Sequence, residues 1–471
     1  MFVGQGRSVH TAAPYVARAG RGELKIGSTM GNAALQSDER TSPLQFLVAA
    51  LCFLTVLIDG FDTQSAAFAG PLLGREFAGG PQALGLIFGL GMLGGLLGGV
   101  ILGPLGDRLG RRPLLIAALC IMSSGSIATA FAHSAHEVAL LRLLTGLGLG
   151  GAVPNVIALT AEYAPPRSRS TIVAIVFNGF PLGAMLGSIV GARLLPAFGW
   201  RTLFIVGGSI PVLVLVLVAL LLPESPAFLT RSGRTQEVKR ILARLGDSAA
   251  SISSEPQRDS LARGSVLQLF ANGLAASTTL IWIGTLLSIL CIYCTVNWLP
   301  VLIAGGGLPL QTAILAVGAL NIGSVIGNII LARFGDRDTA YVPTAAFYVI
   351  GAVFLSIVGI SGSSSALMLG MTFGAGLFGF GGQLSVTTIT ARLYPTELRA
   401  TGSGWAFAIG RVGGVIGPLF AGFLLGSGMG FATMMVILGG LMLLAGLAIF
   451  LLGRTRNTRH SRTVGEAMRN S

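Results

Sequence analysis

The sequence is poor in charged residues, in cysteine and in aromatic residues. Charged side chains make up 10% of its 471 residues, aromatic side chains make up 7%, and there are 4 cysteines. So few charges cannot keep the surface of a water-soluble protein of this length dispersed. Cys52, Cys120, Cys291 and Cys294 all lie in apolar stretches, so no disulfide framework is expected. The composition therefore excludes an ordinary soluble enzyme and a disulfide-rich secreted domain.

Apolar residues and glycine are abundant instead. Hydrophobic residues make up 52%, glycines number 69, and the mean hydropathy is +0.79. A helix needs about 20 apolar residues to cross a bilayer core, and glycine lets such helices approach closely. We predict an all-α integral membrane protein with twelve spans, at about residues 46–69, 83–103, 113–132, 137–161, 170–195, 202–222, 279–303, 311–332, 342–360, 365–390, 400–425 and 431–453.

The formal charge of +13 does not indicate a nucleic-acid protein, because the basic residues form no single patch. Most of them lie in the N-terminus, in alternate loops and in the C-terminus. Arg75, Arg193 and Arg201 lie on the opposite side, and Arg142 and Arg411 lie within spans. The positive-inside rule then places both termini in the cytoplasm.

Five segments follow from this pattern. We expect a disordered cytoplasmic extension (1–45), a six-helix bundle (46–222), a cytoplasmic linker (223–278), a second six-helix bundle (279–453) and a basic tail (454–471). Within the linker, residues 235–245 are predicted to form a basic helix. The first forty residues lack a signal-peptide core; a transit peptide and a start at Met30 are the alternatives.

The two bundles repeat each other in sequence. Gly106-Asp107-Arg108 recurs as Gly335-Asp336-Arg337, an offset of 229 residues (335 minus 106), and Ala161, Pro165 and Arg169 recur as Ala391, Pro395 and Arg399, an offset of 230 (391 minus 161). Two parallel repeats with a site between them near the midplane are typical of secondary transporters.

Four charged residues lie well inside the predicted spans, away from the span ends, where each costs at least ~2.5 kcal/mol and so marks a polar site. Asp59 and Asp62 share a helix face. At a rise of 1.5 Å per residue, Asp62 lies about 24 Å from the inner end of its span, and Arg142 lies about 6 Å from the outer end of its own, a matching depth in a ~30 Å core. We predict Asp59, Asp62 and Arg142 for proton coupling; a purely structural ion pair of Asp59 with Arg142 is the alternative.

Arg411 lies near the midplane by the same rise. A guanidinium matches a carboxylate bidentately, so Arg411 or Arg142 is predicted to bind an acidic substrate; for Arg411 the alternative is helix packing or pairing at a gate. An aromatic wall for a ring is predicted from Phe61, Tyr293, Trp298, Trp405 and Phe407. The alternative for each of these aromatic residues is packing or an interfacial belt.

A glycine-rich basic loop joins the second and third spans and contains Gly103, Asp107, Arg108, Gly110 and Arg111. Its glycines permit a tight turn, and its arginines can pair with acids at the cytoplasmic face. This loop resembles the signature loop of the major facilitator superfamily, and the resemblance extends over about residues 46–455. We predict a gating role for the loop and for three further residues, Glu162, Asp336 and Arg399, with Glu162 contacting Arg108 or Arg111.

A narrower resemblance begins at Asp59-Gly60-Phe61-Asp62, which is similar to the first-helix signature of the aromatic acid and proton symporter family. Other similar phrases are Leu143-Thr145-Gly146, Pro154-Asn155, Glu162, Asn297-Trp298-Leu299-Pro300, Gly382-Gln383, Tyr394-Pro395-Thr396, Arg399-Ala400-Thr401-Gly402 and Gly410-Arg411. The resemblance implies aromatic carboxylates as substrates, Gln383 as a substrate contact, and the cytoplasmic (inner) membrane of a bacterium as the location.

The predicted function is proton symport of a small organic acid, such as a hydroxybenzoate, into the cytoplasm. Proton-coupled efflux of drugs or metabolites is the alternative within transport. An enzyme is not expected, because no nucleophile with a base is visible, and an uncoupled channel or receptor leaves the intramembrane charges without a task. No cofactor, metal or nucleic acid is expected, and the protein is expected to be a monomer.

Overall fold

The computed structural model describes residues 42–77, 79–245, 266–271, 273–334, 340–362 and 364–469. The predicted N-terminal extension, apart from its last few residues, lies outside them. In this part of the chain, twelve helices are long and apolar enough to cross a membrane, as predicted. They are α1 (Pro43–Glu76), α2 (Gly80–Leu109), α3 (Arg111–Thr129), α4 (Ala135–Tyr163), α5 (Arg169–Phe198), α6 (Trp200–Leu221), α7 (Ala275–Gly305), α8 (Leu310–Ala332), α9 (Tyr341–Val358), α10 (Ser365–Leu393), α11 (Thr396–Gly426) and α12 (Phe431–Arg469).

The connection between α6 and α7 contains two short helices, Pro226–Arg231 and Thr235–Leu245. The second has the bounds predicted for the basic helix. Its Ile241 and Leu245 are buried, whereas Lys239, Arg240 and Arg244 are exposed. The helix is therefore amphipathic, and its apolar face covers part of the first bundle's core.

The helices pack in two equivalent sets. In the first bundle, α1 packs on α5, α2 on α4 and α3 on α6; in the second, α7 packs on α11, α8 on α10 and α9 on α12. Contacts between the bundles are also equivalent, because α2 meets α11 and α8 meets α5. The repeat seen in sequence is thus a repeat of packing.

Glycines set the closest of these crossings. A β-carbon at Gly98 of α2 would overlap the carbonyl oxygen of Leu147 in α4, and one at Gly327 of α8 would overlap that of Leu377 in α10. The offsets between these residues are the same 229 (327 minus 98) and 230 (377 minus 147) as between the sequence motifs. Only glycine allows the two backbones to approach this far.

Short connections join successive helices within each bundle, and the equivalent packing gives α7 the place of α1, so the odd-numbered helices begin on one face and the even-numbered helices on the other. We call the face where α1 begins the terminal face and the opposite one the distal face. On the distal side the bundles touch closely. A β-carbon at Gly85 of α2 would lie 3.2 Å from the Pro418 carbonyl oxygen of α11, and one at Gly191 of α5 would lie 3.6 Å from Ile314 of α8.

Candidate functional site

A cavity of about 410 Å³ lies between the two bundles. Its walls come from α1, α2, α4 and α5 on one side and from α7, α8, α10 and α11 on the other. It begins at mid-helix positions of α1 and α4 and continues toward the terminal face, where Asn178, Thr390 and Ser403 line it. Since the bundles are packed together on the distal side, this conformation gives the cavity access from the terminal side.

Asp62 and Arg142 form a buried ion pair. Arg142 Nη2 lies 3.0 Å from Asp62 Oδ2, and the two side chains are 3% and 0% exposed. The same nitrogen donates to the Asp62 backbone oxygen at 3.0 Å, and Ser126 donates to Asp62 Oδ1 at 2.7 Å. Asp62 and Arg142, which were predicted to lie at the same depth in the membrane, are therefore in direct contact. The structural alternative had named Asp59 as the partner of Arg142, and the partner is Asp62.

Asp59, one helical turn earlier, has a different environment. It lines the cavity, is 8% exposed, and accepts a hydrogen bond of 3.1 Å from the Thr63 hydroxyl. Its carboxylate interacts electrostatically with Arg411 of the other bundle. Asp62 is not part of the cavity wall. The two aspartates thus differ in access, although they share one face of α1.

Arg411 reaches from the second bundle toward the first. A β-carbon at Gly95 of α2 would lie 3.5 Å from Arg411 Nη1, and the guanidinium carbon lies 5.0 Å from the centre of the Phe407 ring. Among the described residues, no carboxylate lies within ion-pairing distance of Arg411 and no acceptor takes its hydrogen bonds. Arg411 therefore brings a cation with free donors to the cavity wall.

Three aromatic residues predicted for the wall lie elsewhere. Phe61 is buried inside the first bundle, where β-carbons at Gly187 and Gly207 would lie within 3.3 Å of its ring. Trp298 is fully buried near the distal face, donates to the Pro418 carbonyl and packs edge-to-face on Phe88. Phe61 therefore packs the first bundle, and Trp298 helps to close the distal side between the bundles. Neither residue is placed to contact a substrate ring in the cavity.

Trp405 is 43% exposed and stacks on Trp282, away from the cavity. Tyr293 and Phe407, from the same predicted set, do line the cavity. The aromatic surface of the cavity therefore comes from these two residues together with Phe177, Phe180 and Phe380, which the sequence reading did not name.

Gln383 lines the cavity at the point where α10 is interrupted. A π-helical segment, Ala375–Phe380, and a short turn precede it. Its carboxamide oxygen lies 3.1 Å from the Ser288 hydroxyl and 3.5 Å from the Tyr348 hydroxyl, and both of these residues are fully buried. A π-helical turn often marks a functional position, and two hydroxyl groups here hold the amide in place.

Neutral polar residues also contribute to the mostly apolar wall, and most of them were not predicted from the sequence. The group includes Gln64, Asn297, Asn321, Ser324 and Asn328. Gln64 of α1 and Asn321 of α8 exchange two hydrogen bonds, at 3.2 and 3.4 Å, across the bundles. Amides repeated on cavity-facing helices were the available signal, but Gln383 was the one amide predicted as a contact.

At the terminal face, ion pairs with acidic side chains fix the predicted gating loop. Arg111 lies 3.1 Å from Asp107 and 3.2 Å from Glu162, so the partner of Glu162 is Arg111 rather than Arg108. Gly103 packs on Pro154. Gly110 has a φ of +104°, a conformation that favours glycine.

Glu224, which follows α6, is the acceptor that joins this loop to the linker. Its Oε1 accepts the backbone N–H groups of Arg111 and Arg112 at 2.9 and 3.1 Å, and that of Ser225 at 2.8 Å. Because Arg111 and Arg112 open α3, the carboxylate caps that helix, which complements its dipole. Arg108 and Arg399 are exposed. Asp336 lies outside the described residues.

A pair of repeat-related bundles, with a cavity between them whose wall carries Asp59, Arg142 and Arg411, is the arrangement typical of secondary transporters. The chain belongs to the Major Facilitator Superfamily, which matches residues 52–415. A gallate transporter of Pseudomonas putida is 37% identical over 88% of this chain and 92% of its own length. The 4-hydroxybenzoate transporter PcaK of Acinetobacter baylyi is 33% identical over 90% and 94%.

The fold is also similar to that of a solved bacterial homolog of the human lysosomal transporter Spinster. The TM-score is 0.70 at 16% sequence identity, over 88% of this chain and 98% of that one. At this identity the likeness concerns the fold alone. The sequence relatives are transporters of aromatic acids, as the resemblance of the first-helix signature had implied.

Proposed function

We propose that the protein imports a small aromatic carboxylate, of the hydroxybenzoate or benzoate type, by proton symport. The observation that carries this proposal is the presence in one cavity of Arg411, whose donors are free among the described residues, and of the carboxyl of Asp59. An anion-binding group and a proton-binding group then face the same space from different bundles.

Arg411 supplies the contact for the substrate carboxylate. A guanidinium donates two parallel hydrogen bonds to a carboxylate, and such charge-assisted bonds are the strong ones. Arg142 is less suited, because Asp62 already takes its Nη2 and balances its charge. We assign Arg411 to the substrate and the Asp62–Arg142 pair to coupling within the first bundle.

The size and lining of the cavity favour one ring. Pockets for small molecules usually have roughly 300–1,000 Å³, and about 410 Å³ suits a single-ring acid. Tyr293 and Phe407 offer aromatic surface, and Gln383 with its neighbouring amides offers partners for ring hydroxyl groups. The substrates in the names of the relatives, gallate and 4-hydroxybenzoate, are hydroxylated benzoates of this kind.

Asp59 carries the coupling proton. Protonation removes the negative charge that faces Arg411, which leaves the guanidinium to the substrate carboxylate. Loss of the proton on the other side of the membrane restores the attraction and favours release of the substrate. A change of conformation that alters this environment couples the two movements.

The orientation follows from the basic loops. They lie on the terminal face, so the positive-inside rule makes this face cytoplasmic. Bacterial relatives favour the inner membrane. The loop around Arg111 then forms the cytoplasmic gate. Its contacts with Glu162 and Glu224 keep the helices of the first bundle together when the two bundles move relative to each other. Efflux by antiport is less favoured, because the cavity presents a cation for acids rather than an all-apolar wall.

Uptake into proteoliposomes tests the proposal. Labelled gallate, 4-hydroxybenzoate and benzoate are offered with an imposed inward proton gradient, with and without a protonophore. We expect saturable accumulation of at least one acid that the protonophore abolishes. A protein that accumulates none of them, or whose uptake ignores the protonophore, contradicts the assignment.

A further inference from the structure

The carboxamides of Gln64 and Asn321 form a polar contact between the two bundles. They lie on helices of different bundles, α1 and α8, and both line the cavity. Asn321 Nδ2 donates to Gln64 Oε1 at 3.2 Å, and Gln64 Nε2 donates to Asn321 Oδ1 at 3.4 Å. The contact is therefore reciprocal, and it joins residues that are 257 positions apart.

Both side chains are buried, Gln64 to 3% and Asn321 to 6% exposure. A buried amide that loses its partner keeps the full cost of its desolvation. Asn321 is also oriented from its own helix, because Nδ2 donates to the Val317 carbonyl at 2.8 Å. The second bundle thus presents this amide in a fixed position, to which Gln64 fits.

The pair lies where the cavity meets the closed distal side. In α8, the residues that precede Asn321 pack against α5, with Gly318 on Ser188 and Ile314 beside Gly191. In α1, Gly70 follows Gln64 and packs against Val301 of α7. Every one of these contacts joins the two bundles.

Alternating access requires the bundles to separate on the distal side. The two amides then part, and both hydrogen bonds break together. The distal apolar contacts are close but non-directional. The two hydrogen bonds of the amide pair, in contrast, form in only one relative position of α1 and α8. We propose that Gln64 and Asn321 form an amide latch that stabilises the terminal-side-open state and sets how often the distal side opens. The inference goes beyond the proposed function, since it requires no particular substrate and no proton.

Cysteine reactivity measures the latch directly. Ile314 is fully buried at the distal closure, so Ile314→Cys reacts with a hydrophilic maleimide only when that side opens. The protein is placed in nanodiscs in a Cys120→Ser background, because Cys120 is the exposed native cysteine among those described. The labelling rate is then compared with and without Gln64→Ala and Asn321→Ala, in the absence of substrate.

We expect each alanine variant to label about tenfold faster than its parent, since the two hydrogen bonds that are lost favour the state with the distal side closed. The double variant should label no faster than the faster single variant, because both changes remove one shared contact. Asn297→Ala is the matched control. It removes an amide from the same cavity, but that amide bonds only the Tyr293 carbonyl within α7 among the described residues.

Parent-like labelling in the single variants overturns the latch. So does a double variant whose rate is the product of the two single effects, or an equal increase in Asn297→Ala. Thermal melting of each variant identifies any that is misfolded. Either single variant suffices if the other fails to fold, and the proposed transport activity plays no part in the result.

Discussion

The two bundles have the same packing and different chemistry. Leu57 of α1 and Leu286 of α7 are equivalent, because Gly183 and Gly413, themselves 230 residues apart (413 minus 183), pack on their respective carbonyl oxygens. Counting on from this pair, Asp59 corresponds to Ser288, a residue that bonds Gln383.

The same offsets place Cys291 at the position of Asp62 and Thr372 at that of Arg142. Where the first bundle has a buried ion pair, the second has two small neutral residues, 0% and 1% exposed. The fold therefore does not need the ion pair. Its presence in one bundle alone indicates that charge handling is concentrated there, while the second bundle supplies Arg411 and neutral donors.

The largest expected effect comes from breaking the ion pair. Asp62→Leu or Arg142→Met alone leaves one buried charge without its partner, and we expect a loss of about 3–5 kcal/mol in stability. The double variant, which resembles the neutral second bundle, should lose clearly less than the sum of the two. Thermal unfolding in detergent measures this. Additive losses would mean that the two residues do not act as a pair.

A smaller effect is expected for Arg411→Lys. The variant keeps the charge but loses the planar fork, so the Kd for the transported acid should rise on the order of tenfold to hundredfold. Equilibrium binding of the labelled acid checks it. Arg193→Lys, an exposed exchange at the distal end of α5, should leave the Kd unchanged. An unaltered Kd in Arg411→Lys would remove Arg411 from the substrate site.

Glycine substitutions test whether the equivalent helix crossings of the two bundles contribute equally to stability. Gly98→Ala and Gly327→Ala insert a methyl group at equivalent helix crossings, and each should cost about 1–3 kcal/mol. Gly440→Ala adds a methyl group with no atom within 4 Å and should change stability by less than about 0.5 kcal/mol. Unfolding midpoints compare the three. A loss in only one bundle would show that the two crossings are not equivalent.

Hydropathy and the repeated motifs were enough to predict the twelve helices, because a span must be about 20 apolar residues long whatever it contacts. The depth of each charged residue in the membrane could also be predicted, and the equal depths of Asp62 and Arg142 agree with the ion pair that they form. The rotation of each helix could not be predicted. Helices such as α7 are almost apolar all round. Asn297, four residues after Tyr293, is the weak signal that separates the cavity-facing side from that of Trp298, which is turned to the distal closure.

Neutral amides were missed for a different reason. A charge inside a span is costly and stands out, whereas Gln64 and Asn321 cost less and satisfy each other. The role of Glu224 as the cap of α3 was not predicted either, because it depends on a contact 113 residues away. Such long-range pairs follow from the packing of the two bundles and not from local pattern.

The most direct test of the account is to separate accumulation from exchange in Asp59→Asn. Proteoliposomes are loaded with unlabelled acid for counterflow, or exposed to a proton gradient for net uptake. We predict that Asp59→Asn exchanges labelled acid across the membrane but no longer accumulates it in response to the gradient, since the carboxyl that carries the proton is gone. Gradient-driven accumulation that persists in Asp59→Asn would contradict the central claim that this aspartate couples the proton to the substrate.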